Sequence, residues 1–331
     1  MPVEPFRLGL VGLGYWGPNL ARNFDDLPEA ELVWLCDQDG DKLERYGARF
    51  PGASMTARFE DLLEDDDLDA VVVATPAVTH FDLARQVLRA EKHAFVEKPL
   101  ALSSTLAGEL VALAEERDLV LMPGHLLLYH PGVEKLKELI DSGELGRLRY
   151  VYGNRQNLGQ IRRDENALWS LGAHDLSVIL HLLNEEPSEC LARGESFLRE
   201  GVEDVVFCYL RFPSGVVAHM HLSWLDPHKM RKMTVVGDRK MAVFDDMELE
   251  RKVTVYDKRP EEHADTYGEW MTRTGDIWCP KIANDEPLRL ECERFLALLR
   301  REGDRREAAL SGLAVVRTLE QLQSSLEREP V

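Results

Sequence analysis

Paired cysteines and long apolar segments are both missing from this 331-residue chain. Its five cysteines are scattered and form no C-x-x-C pair, which argues against a disulfide framework and against a zinc site. We therefore expect free thiols in a reducing compartment, and we place the protein in the cytoplasm. No apolar run approaches the roughly 20 residues that cross a bilayer, and the N-terminal residues show no secretory pattern.

Basic charge is also scarce. Lys and Arg number 40 against 59 Asp and Glu, which gives a formal net charge of -19 at pH 7. An acidic surface repels nucleic-acid phosphates and anionic lipid, so we expect neither kind of partner. A phosphate-bearing small molecule is not excluded, because backbone N–H groups at a helix N-terminus bind phosphate without basic side chains. The hydrophobic content of 44% is that of a globular chain, and the length suggests two domains.

Strand-like and helix-like segments alternate over the first part of the chain. Apolar runs at 70–74 and 93–96 indicate buried strands, while residues 79–90 and 103–117 have helical periodicity. Strands that alternate with crossover helices build a doubly wound parallel sheet. The pattern therefore predicts an α/β fold whose first domain, residues 1–123, is built on such a sheet.

Strand-like segments follow one another closely beyond residue 123. One helix, at about 172–183, interrupts them, and Pro213-Ser214-Gly215 has the composition of a hairpin turn. This pattern predicts an α+β second domain, residues 124–331, with a large, mostly antiparallel, open sheet. Two terminal helices are expected within residues 287–326, either in this domain or packed back on the first.

Three glycines match a dinucleotide-binding turn. Gly12, Gly14 and Gly17 form the pattern G-x-G-x-x-G between a predicted strand and a predicted helix. The first glycine permits a tight turn, the second lets the backbone approach a pyrophosphate, and the third lets the helix pack closely on the strand. Together with the alternating pattern, this turn predicts a Rossmann domain. Tyr15 and Trp16 lie inside the turn and are expected to complete the cofactor-binding segment.

Asp37 indicates which dinucleotide binds. It lies 20 residues beyond Gly17, at the end of the next predicted strand. A carboxylate at that point accepts hydrogen bonds from the ribose hydroxyls and repels a 2′-phosphate. Since no arginine follows immediately, we predict NAD rather than NADP as the cofactor.

A second segment at the carboxyl end of a predicted strand is expected to contact the cofactor, because ligands bind there in open α/β sheets. Thr75 and Pro76 end the strand that begins at residue 70. His80 lies in the same loop or at the start of the next helix. It either contacts the cofactor or is satisfied by the nearby backbone.

Lys98 follows the strand 93–96 and lies between Glu97 and Pro99. We expect Glu97 and Lys98 to belong to the cofactor site, with Lys98 near the nicotinamide. Glu97 can hold the ammonium in place, and Pro99 makes the local backbone rigid. A lysine beside a cationic nicotinamide has a lowered pKa, which suits proton exchange with an alcohol.

His174 lies at the start of the predicted helix in the second domain, and a histidine there is an effective acid–base group at neutral pH. Together with the glycine turn and Glu97-Lys98-Pro99, this helix resembles the glucose–fructose oxidoreductase / inositol dehydrogenase / MocA (Gfo/Idh/MocA) family, over nearly the whole chain. The resemblance implies a Rossmann domain followed by a domain whose open sheet forms a homodimer or homotetramer. It also implies that Lys98 and His174 are the catalytic pair, acting on a carbinol carbon of a sugar or nucleotide sugar.

Finer motifs narrow the resemblance. The segments 12–19, 157–159, 174–177 and 223–227 resemble the UDP-N-acetylglucosamine 3-dehydrogenase branch of the family. That branch implies oxidation at C3 of a UDP-amino sugar, with NAD as the acceptor. The alternatives that stay open are a free sugar or inositol dehydrogenase, an NAD-dependent glycosidase and a non-catalytic, NAD-sensing scaffold.

One position departs from the family pattern. Family members commonly carry an aspartate four residues before the histidine, where this chain has Ser170. A hydroxyl can hydrogen-bond to the imidazole but cannot stabilise an imidazolium by charge. We therefore expect His174 to be a weaker base and Lys98 to carry more of the proton transfer. Asp175, adjacent to His174, is expected to point elsewhere on the helix.

Seven further polar residues are candidates to bind the substrate: His125, Tyr129, Arg155, Asn157, Arg163, Ser170 and Asp175. For the first five, a solvated or structural role is equally open. Either Arg155 or Arg163 is a candidate to bind a diphosphate. His219 and His221 share one face of a predicted strand, but without a carboxylate pattern they predict no metal site.

Overall fold

The computed structural model describes residues 4–159, 161–162, 165–262 and 270–327. By its tertiary contacts the chain divides into two compact units. The first unit consists of Met1–Tyr129 and Asp285–Arg317, and the second of His130–Asn284 and Thr318–Val331. The boundary between the units lies after Tyr129, whereas the sequence predicts a domain boundary after residue 123. The residues of the first terminal helix belong to the first unit. Helices and strands are numbered below in chain order.

The first unit contains a parallel sheet in the order β3-β2-β1-β4-β5-β6 among the described residues. Its strands are β1 Phe6–Val11, β2 Ala30–Cys36, β3 Ser54–Thr56, β4 Ala70–Val73, β5 His93–Glu97 and β6 Leu121–Gly124. The order reverses between β1 and β4, which pair directly, and ligands of doubly wound sheets bind at such a point. The four residues of β4 are all buried, as expected for a strand covered on both faces.

Six helices of the first unit lie within the described residues: α1 Gly17–Asp25, α2 Gly40–Gly47, α3 Glu60–Glu64, α4 His80–Arg89, α5 Ser104–Glu116 and α8 Pro287–Leu299. Helix α8 belongs to the core of this unit. Its Phe295 ring lies 6.1 Å from the Phe24 ring of α1 and 5.7 Å from the Phe95 ring of β5, in edge-to-face contacts.

The second unit contains a large sheet in the order β14-β13-β12-β11-β7-β10-β9-β8. Its strands are β7 Leu148–Gln156, β8 Glu189–Glu195, β9 Val205–Arg211, β10 Val217–Ser223, β11 Met230–Gly237, β12 Met241–Asp245, β13 Val253–Glu262 and β14 Trp270–Trp278. Only the β7–β10 pair is parallel among the described pairs of this sheet. The predicted fold class, a Rossmann sheet followed by a mostly antiparallel sheet, is confirmed.

The helices of the second unit are α6 Pro131–Asp141, α7 Ala173–Leu183 and the end of α9 Arg305–Leu326. Side chains of the sheet alternate between a buried and an outer face. On β7, Val151 and Gly153 are buried, whereas Tyr150 and Tyr152 lie on the outer face. Among the described residues, no helix is both long and apolar enough to cross a bilayer.

Candidate functional site

The glycine turn between β1 and α1 has the geometry that the motif predicts. Gly12 has φ +99, and a Cβ there would lie 2.6 Å from the carbonyl oxygen of Ala74. A Cβ on Gly17 would overlap the carbonyl oxygen of Gly12. A Cβ on Gly14 would meet nothing within 4 Å, so Gly14 presents bare backbone to open space. This is the surface that a pyrophosphate can approach.

The N-terminus of α1 supports the same interpretation. Trp16 precedes the helix, no side chain caps it, and Pro18 occupies its first turn. Backbone N–H groups of an uncapped first turn are available to an anion. Tyr15 is 80% exposed, and its ring lies edge-to-face on Trp16 with 5.5 Å between the centroids. The residues present therefore fit the diphosphate of a dinucleotide.

Asp37 is held against the glycine turn. Its Oδ2 accepts a hydrogen bond of 2.6 Å from Leu13 N, and its Oδ1 accepts one of 2.9 Å from Asp39 N. The sequence argument missed Lys42, whose Nζ lies 3.4 Å from both carboxylate oxygens. Lys42 lies in the first turn of α2, five residues beyond Asp37, whereas the prediction from the sequence considered only an arginine immediately after Asp37. This cation reduces the charge with which Asp37 would repel a 2′-phosphate.

Thr75 and Pro76 lie at the carboxyl end of β4, and His80 starts α4. The His80 ring is buried: its Nδ1 lies 2.7 Å from Pro99 O and its Nε2 lies 2.8 Å from Thr75 O. Burial lowers the pKa of His80, although both carbonyl contacts favour the protonated ring. Because both ring nitrogens contact the backbone, the geometry favours the structural role and connects the loops after β4 and β5.

Lys98 follows β5 directly, at the same carboxyl edge of the sheet. It is half-buried, and its peptide bond to Pro99 is cis. The side chain of Glu97 is buried, and its Oε2 accepts a hydrogen bond of 3.2 Å from Lys98 N. Burial raises the pKa of Glu97 to about 7, against the opposing effect of the Lys98 ammonium. A carboxyl group with a raised pKa and a lysine therefore follow one another at the strand end.

His174 lies in the second unit, in the first turn of α7. A π-helical turn, Leu168–Gly172, runs directly into this helix. Such wide turns within helices are frequent at functional sites. Ser170 lies inside the turn, where its N–H donates to Asn166 O at 3.0 Å. Ser170 therefore lies in a wider turn than that of a regular α-helix, directly before the helix that carries His174.

Arg155 and Asp175 form a buried ion pair within the second unit. The Nε and Nη2 atoms of Arg155 lie 2.8 and 2.7 Å from Asp175 Oδ1. A Cβ on Gly153 would come within 3.0 Å of Asp175 Oδ2, so the glycine makes room for the carboxylate. Asp175 does point away from solvent and towards β7. Both residues, expected as substrate ligands, are at least partly committed to each other.

The remaining candidates have separate environments. His125 is buried, and neither of its ring nitrogens has a hydrogen-bond partner among the described residues. Tyr129 is half-buried in the first unit. Asn157 donates its backbone N–H to Ser223 O at 3.1 Å in the second unit. Arg163 lies outside the described residues. Within those residues, no three His, Cys, Asp or Glu side chains cluster as metal ligands.

The chain is similar to known enzymes of sugar metabolism. It is 28% identical to dTDP-3,4-didehydro-2,6-dideoxy-alpha-D-glucose 3-reductase of Saccharopolyspora spinosa over 256 residues. This alignment covers 73% of this chain and 75% of that protein. It is 27% identical to UDP-N-acetylglucosamine 3-dehydrogenase of Acidithiobacillus ferrooxidans over 240 residues, an alignment that covers 72% of this chain and 74% of that protein. The matched segments span only 64% and 59% of two uncharacterised oxidoreductases of Bacillus subtilis and Streptococcus pneumoniae.

A solved structure agrees with the fold over the whole length. GenD2 from gentamicin A biosynthesis, determined in complex with NAD, is 26% identical and superposes with a TM-score of 0.80, covering 98% of this chain and 94% of GenD2. Residues 6–125 match the oxidoreductase family with an NAD-binding Rossmann fold, and residues 133–243 match the GFO/IDH/MocA C-terminal domain. The chain therefore belongs to the Gfo/Idh/MocA family of oxidoreductases.

Proposed function

We propose that the protein is an NAD-dependent dehydrogenase that transfers hydride between a secondary carbinol carbon of a sugar and nicotinamide. The observation that carries this proposal is the common edge shared by the glycine turn after β1 and Lys98 after β5. Since β1, β4 and β5 are neighbours about 5 Å apart, the two strand ends are separated by about 10 Å. A dinucleotide whose pyrophosphate lies on the glycine turn can extend its nicotinamide along this edge towards Lys98.

Asp37 supports NAD as the cofactor. Its carboxylate is fixed by two backbone N–H groups at the end of β2, where it can accept hydrogen bonds from ribose hydroxyls. Lys42 is the residue that argues for NADP, because it lies beside Asp37 and offers a cation to a 2′-phosphate. Titration of the protein with NADH and with NADPH, followed by nicotinamide fluorescence, tests the preference, and tighter binding of NADPH would contradict it.

In the proposed mechanism the bound cofactor supplies the hydride acceptor. Lys98 donates a hydrogen bond to the reacting hydroxyl, and its ammonium stabilises the negative charge that develops on that oxygen. His174 accepts the hydroxyl proton. With Ser170 in place of an aspartate, no carboxylate at that position supports the imidazolium, so Lys98 carries a larger share of the proton transfer.

The preferred substrate in this proposal is a UDP-amino sugar such as UDP-N-acetylglucosamine, oxidised at C3. Two relatives whose names specify a reaction at position 3 of a nucleotide-activated sugar support this choice. A free sugar or inositol is the alternative substrate, and an NAD-dependent glycosidase and a non-catalytic NAD-sensing scaffold are the alternative functions. Net accumulation of NADH separates a dehydrogenase from a glycosidase that regenerates its cofactor.

Purified protein incubated with NAD and a panel of UDP-sugars, free hexoses and inositols tests the function. We expect NADH formation with UDP-N-acetylglucosamine, followed by absorbance. Lys98→Ala should lower kcat by a factor on the order of a hundred to ten thousand while NADH still binds. The matched control is Lys135→Ala, which removes a lysine from the surface of α6. Full activity of Lys98→Ala would contradict the assigned role, and no NADH with any substrate would favour the glycosidase or scaffold.

Ser170→Asp tests the proposed division of proton transfer. If a carboxylate at this position supports the imidazolium, the substitution shifts the pH–rate profile and raises turnover. An unchanged profile and an unchanged kcat would contradict the interpretation of His174 as a weakened base.

We also propose that a second copy of the chain covers the outer face of the large sheet. Tyr150, Leu191, Phe207 and Ile277 are exposed on this face, and the rings of Tyr152 and His219 stack there at 5.0 Å. Several exposed apolar groups on one face of a sheet are typical of an interface. Light scattering of the wild type should give a dimer or tetramer, and Phe207→Glu should shift it towards the monomer.

The reducing compartment proposed for the protein is the cytoplasm, in keeping with its free cysteines.

A further inference from the structure

A buried polar cluster lies behind Lys98 in the first unit. We call Glu97, His125 and Glu291 the buried acid cluster. Glu97 ends β5, His125 follows the neighbouring strand β6, and Glu291 belongs to α8. Helix α8 packs against β5 in this unit, where the Phe295 ring lies 5.7 Å from the Phe95 ring, so residues more than 160 positions apart in the sequence share one interior. Neither the glycine motif nor the Glu-Lys-Pro motif indicates such a cluster.

Glu291 is the unusual member. It is 0% exposed, and neither carboxyl oxygen has a hydrogen-bond partner among the described residues. It lies on the apolar face of α8, between the buried Leu288 and Phe295. A carboxylate in such surroundings is costly, so the group takes up a proton instead. Burial, reinforced by the charge of Glu97, holds the pKa of Glu291 well above its usual range.

Glu97 is the member that favours the charged form. Its Oε2 accepts the Lys98 backbone N–H, and the Lys98 ammonium favours its carboxylate. A Cβ on Gly124 would come within 3.3 Å of the same carboxyl group, so β6 packs closely against it. Two buried carboxyl groups that repel each other do not both ionise. Above about pH 7, Glu97 is therefore the anion and Glu291 the neutral acid.

His125 completes the cluster as a neutral ring. Burial, followed by the charge of Lys98, lowers the pKa of His125 to about 4. Its two nitrogens and the two carboxyl oxygens of Glu291 are buried polar atoms that need partners, and buried groups of this kind commonly bind ordered water. Tyr129 and Cys292 both interact electrostatically with Glu291, and desolvation raises the pKa of each, so neither supplies charge.

We propose that Glu291 is a positioning residue for Lys98: as a neutral acid it keeps its proton and donates a hydrogen bond, through a water bound with His125, to the Glu97 carboxylate. This arrangement keeps one negative charge next to the Lys98 ammonium. Without the donor, Glu97 becomes protonated and Lys98 loses its counter-charge. The inference rests on the proposed function only through the role given to Lys98.

Acylation of Lys98 by a lysine-selective reagent at about pH 8, quantified by mass spectrometry, tests this arrangement without any substrate. Glu291→Gln keeps a neutral donor and should label like the wild type. Glu291→Met removes the donor, lowers the pKa of Lys98 and should increase labelling about tenfold for each pKa unit lost. Cys292→Ala, which truncates the next buried side chain of α8 without removing a carboxyl group, is the control and should not change labelling.

Three results would overturn the proposal: Glu291→Met labelling like the wild type, Glu291→Gln labelling like Glu291→Met, or Cys292→Ala giving the same increase. If the Glu291 variants fail to fold, a measurement on the wild type still tests the proposal. Its infrared spectrum at about pH 8 should contain the carbonyl band of a protonated carboxyl group, and a spectrum without that band also overturns the proposal. Since neither readout needs turnover, an inactive protein with the expected labelling would contradict the proposed function alone.

Discussion

Each unit buries a carboxyl group deep in its interior, and the surroundings of that group differ between the two units. In the second unit Asp175 contacts the Arg155 guanidinium, and both side chains are less than a tenth exposed. In the first unit Glu291 is equally buried but has no hydrogen-bond partner among the described residues. A buried carboxyl with a cation keeps its charge, whereas one without a cation keeps its proton. The difference should appear as unequal losses of stability when each group or its partner is substituted.

The largest effect is expected from breaking the buried ion pair. Arg155→Met leaves the Asp175 carboxylate desolvated and unpaired, so the free energy of unfolding should fall by about 3–5 kcal/mol. Urea unfolding measures the loss. Arg211→Ala is the control, because its partner Glu189 is exposed and such a pair contributes about 1 kcal/mol or less. Equal losses for the two variants would show that burial does not decide the strength of the pair.

A smaller, pH-dependent effect is expected from Glu97. Burial raises its pKa from 4.5 to about 7 in the folded protein, so the folded state binds more protons between these values. The free energy of unfolding should therefore fall as pH rises from 4.5 to about 7, by on the order of 3 kcal/mol, and level off above. Glu97→Gln cannot ionise and should lose this part of the slope.

Urea unfolding of the wild type and of Glu97→Gln at about pH 5, 6, 7 and 8 compares the two slopes. Glu189→Gln, at an exposed position of β8, is the control and should leave the slope as it is. Parallel curves for the wild type and Glu97→Gln would mean that the Glu97 carboxyl is not shifted by burial.

The smallest effect is expected from Glu291→Gln, because it replaces one neutral side chain with another of nearly the same shape. The free energy of unfolding at neutral pH should change by about 1 kcal/mol or less. Asp175→Asn makes the same chemical change in the second unit and should cost several times more, because it leaves the Arg155 cation buried without a counter-charge. A similar loss for both variants, measured by urea unfolding, would remove the distinction between the two buried carboxyl groups.

Much of the fold follows from short-range patterns. The apolar run of β4, the glycine turn and the position of Lys98 after β5 were predicted, because strand burial and turn chemistry depend on neighbouring residues. Strands β3 and β14 were not predicted. The first has three residues, and the second is largely exposed, so neither carries a strong alternating apolar pattern.

The individual residues of the candidate site were predictable from the sequence, but the backbone and buried groups around them were not. The π-helical turn at 168–172, which leads into the helix of His174, has no signature in the sequence. Glu291 did carry a signal, because it interrupts the apolar face of α8 three residues after Leu288 and four before Phe295. A charged residue on a core-facing stripe is a reason to look for a buried acid.

By itself the sequence determined the family, the cofactor-binding turn and the candidates Lys98 and His174, since each depends on residue types at fixed spacings along one segment. The tertiary structure decided which charges persist in the interior. Arg155 reaches Asp175 across 20 residues, and Glu291 is buried only because α8 packs into the core of the first unit. The charge of a buried group depends on its solvation and on neighbours distant in sequence, which no local pattern specifies.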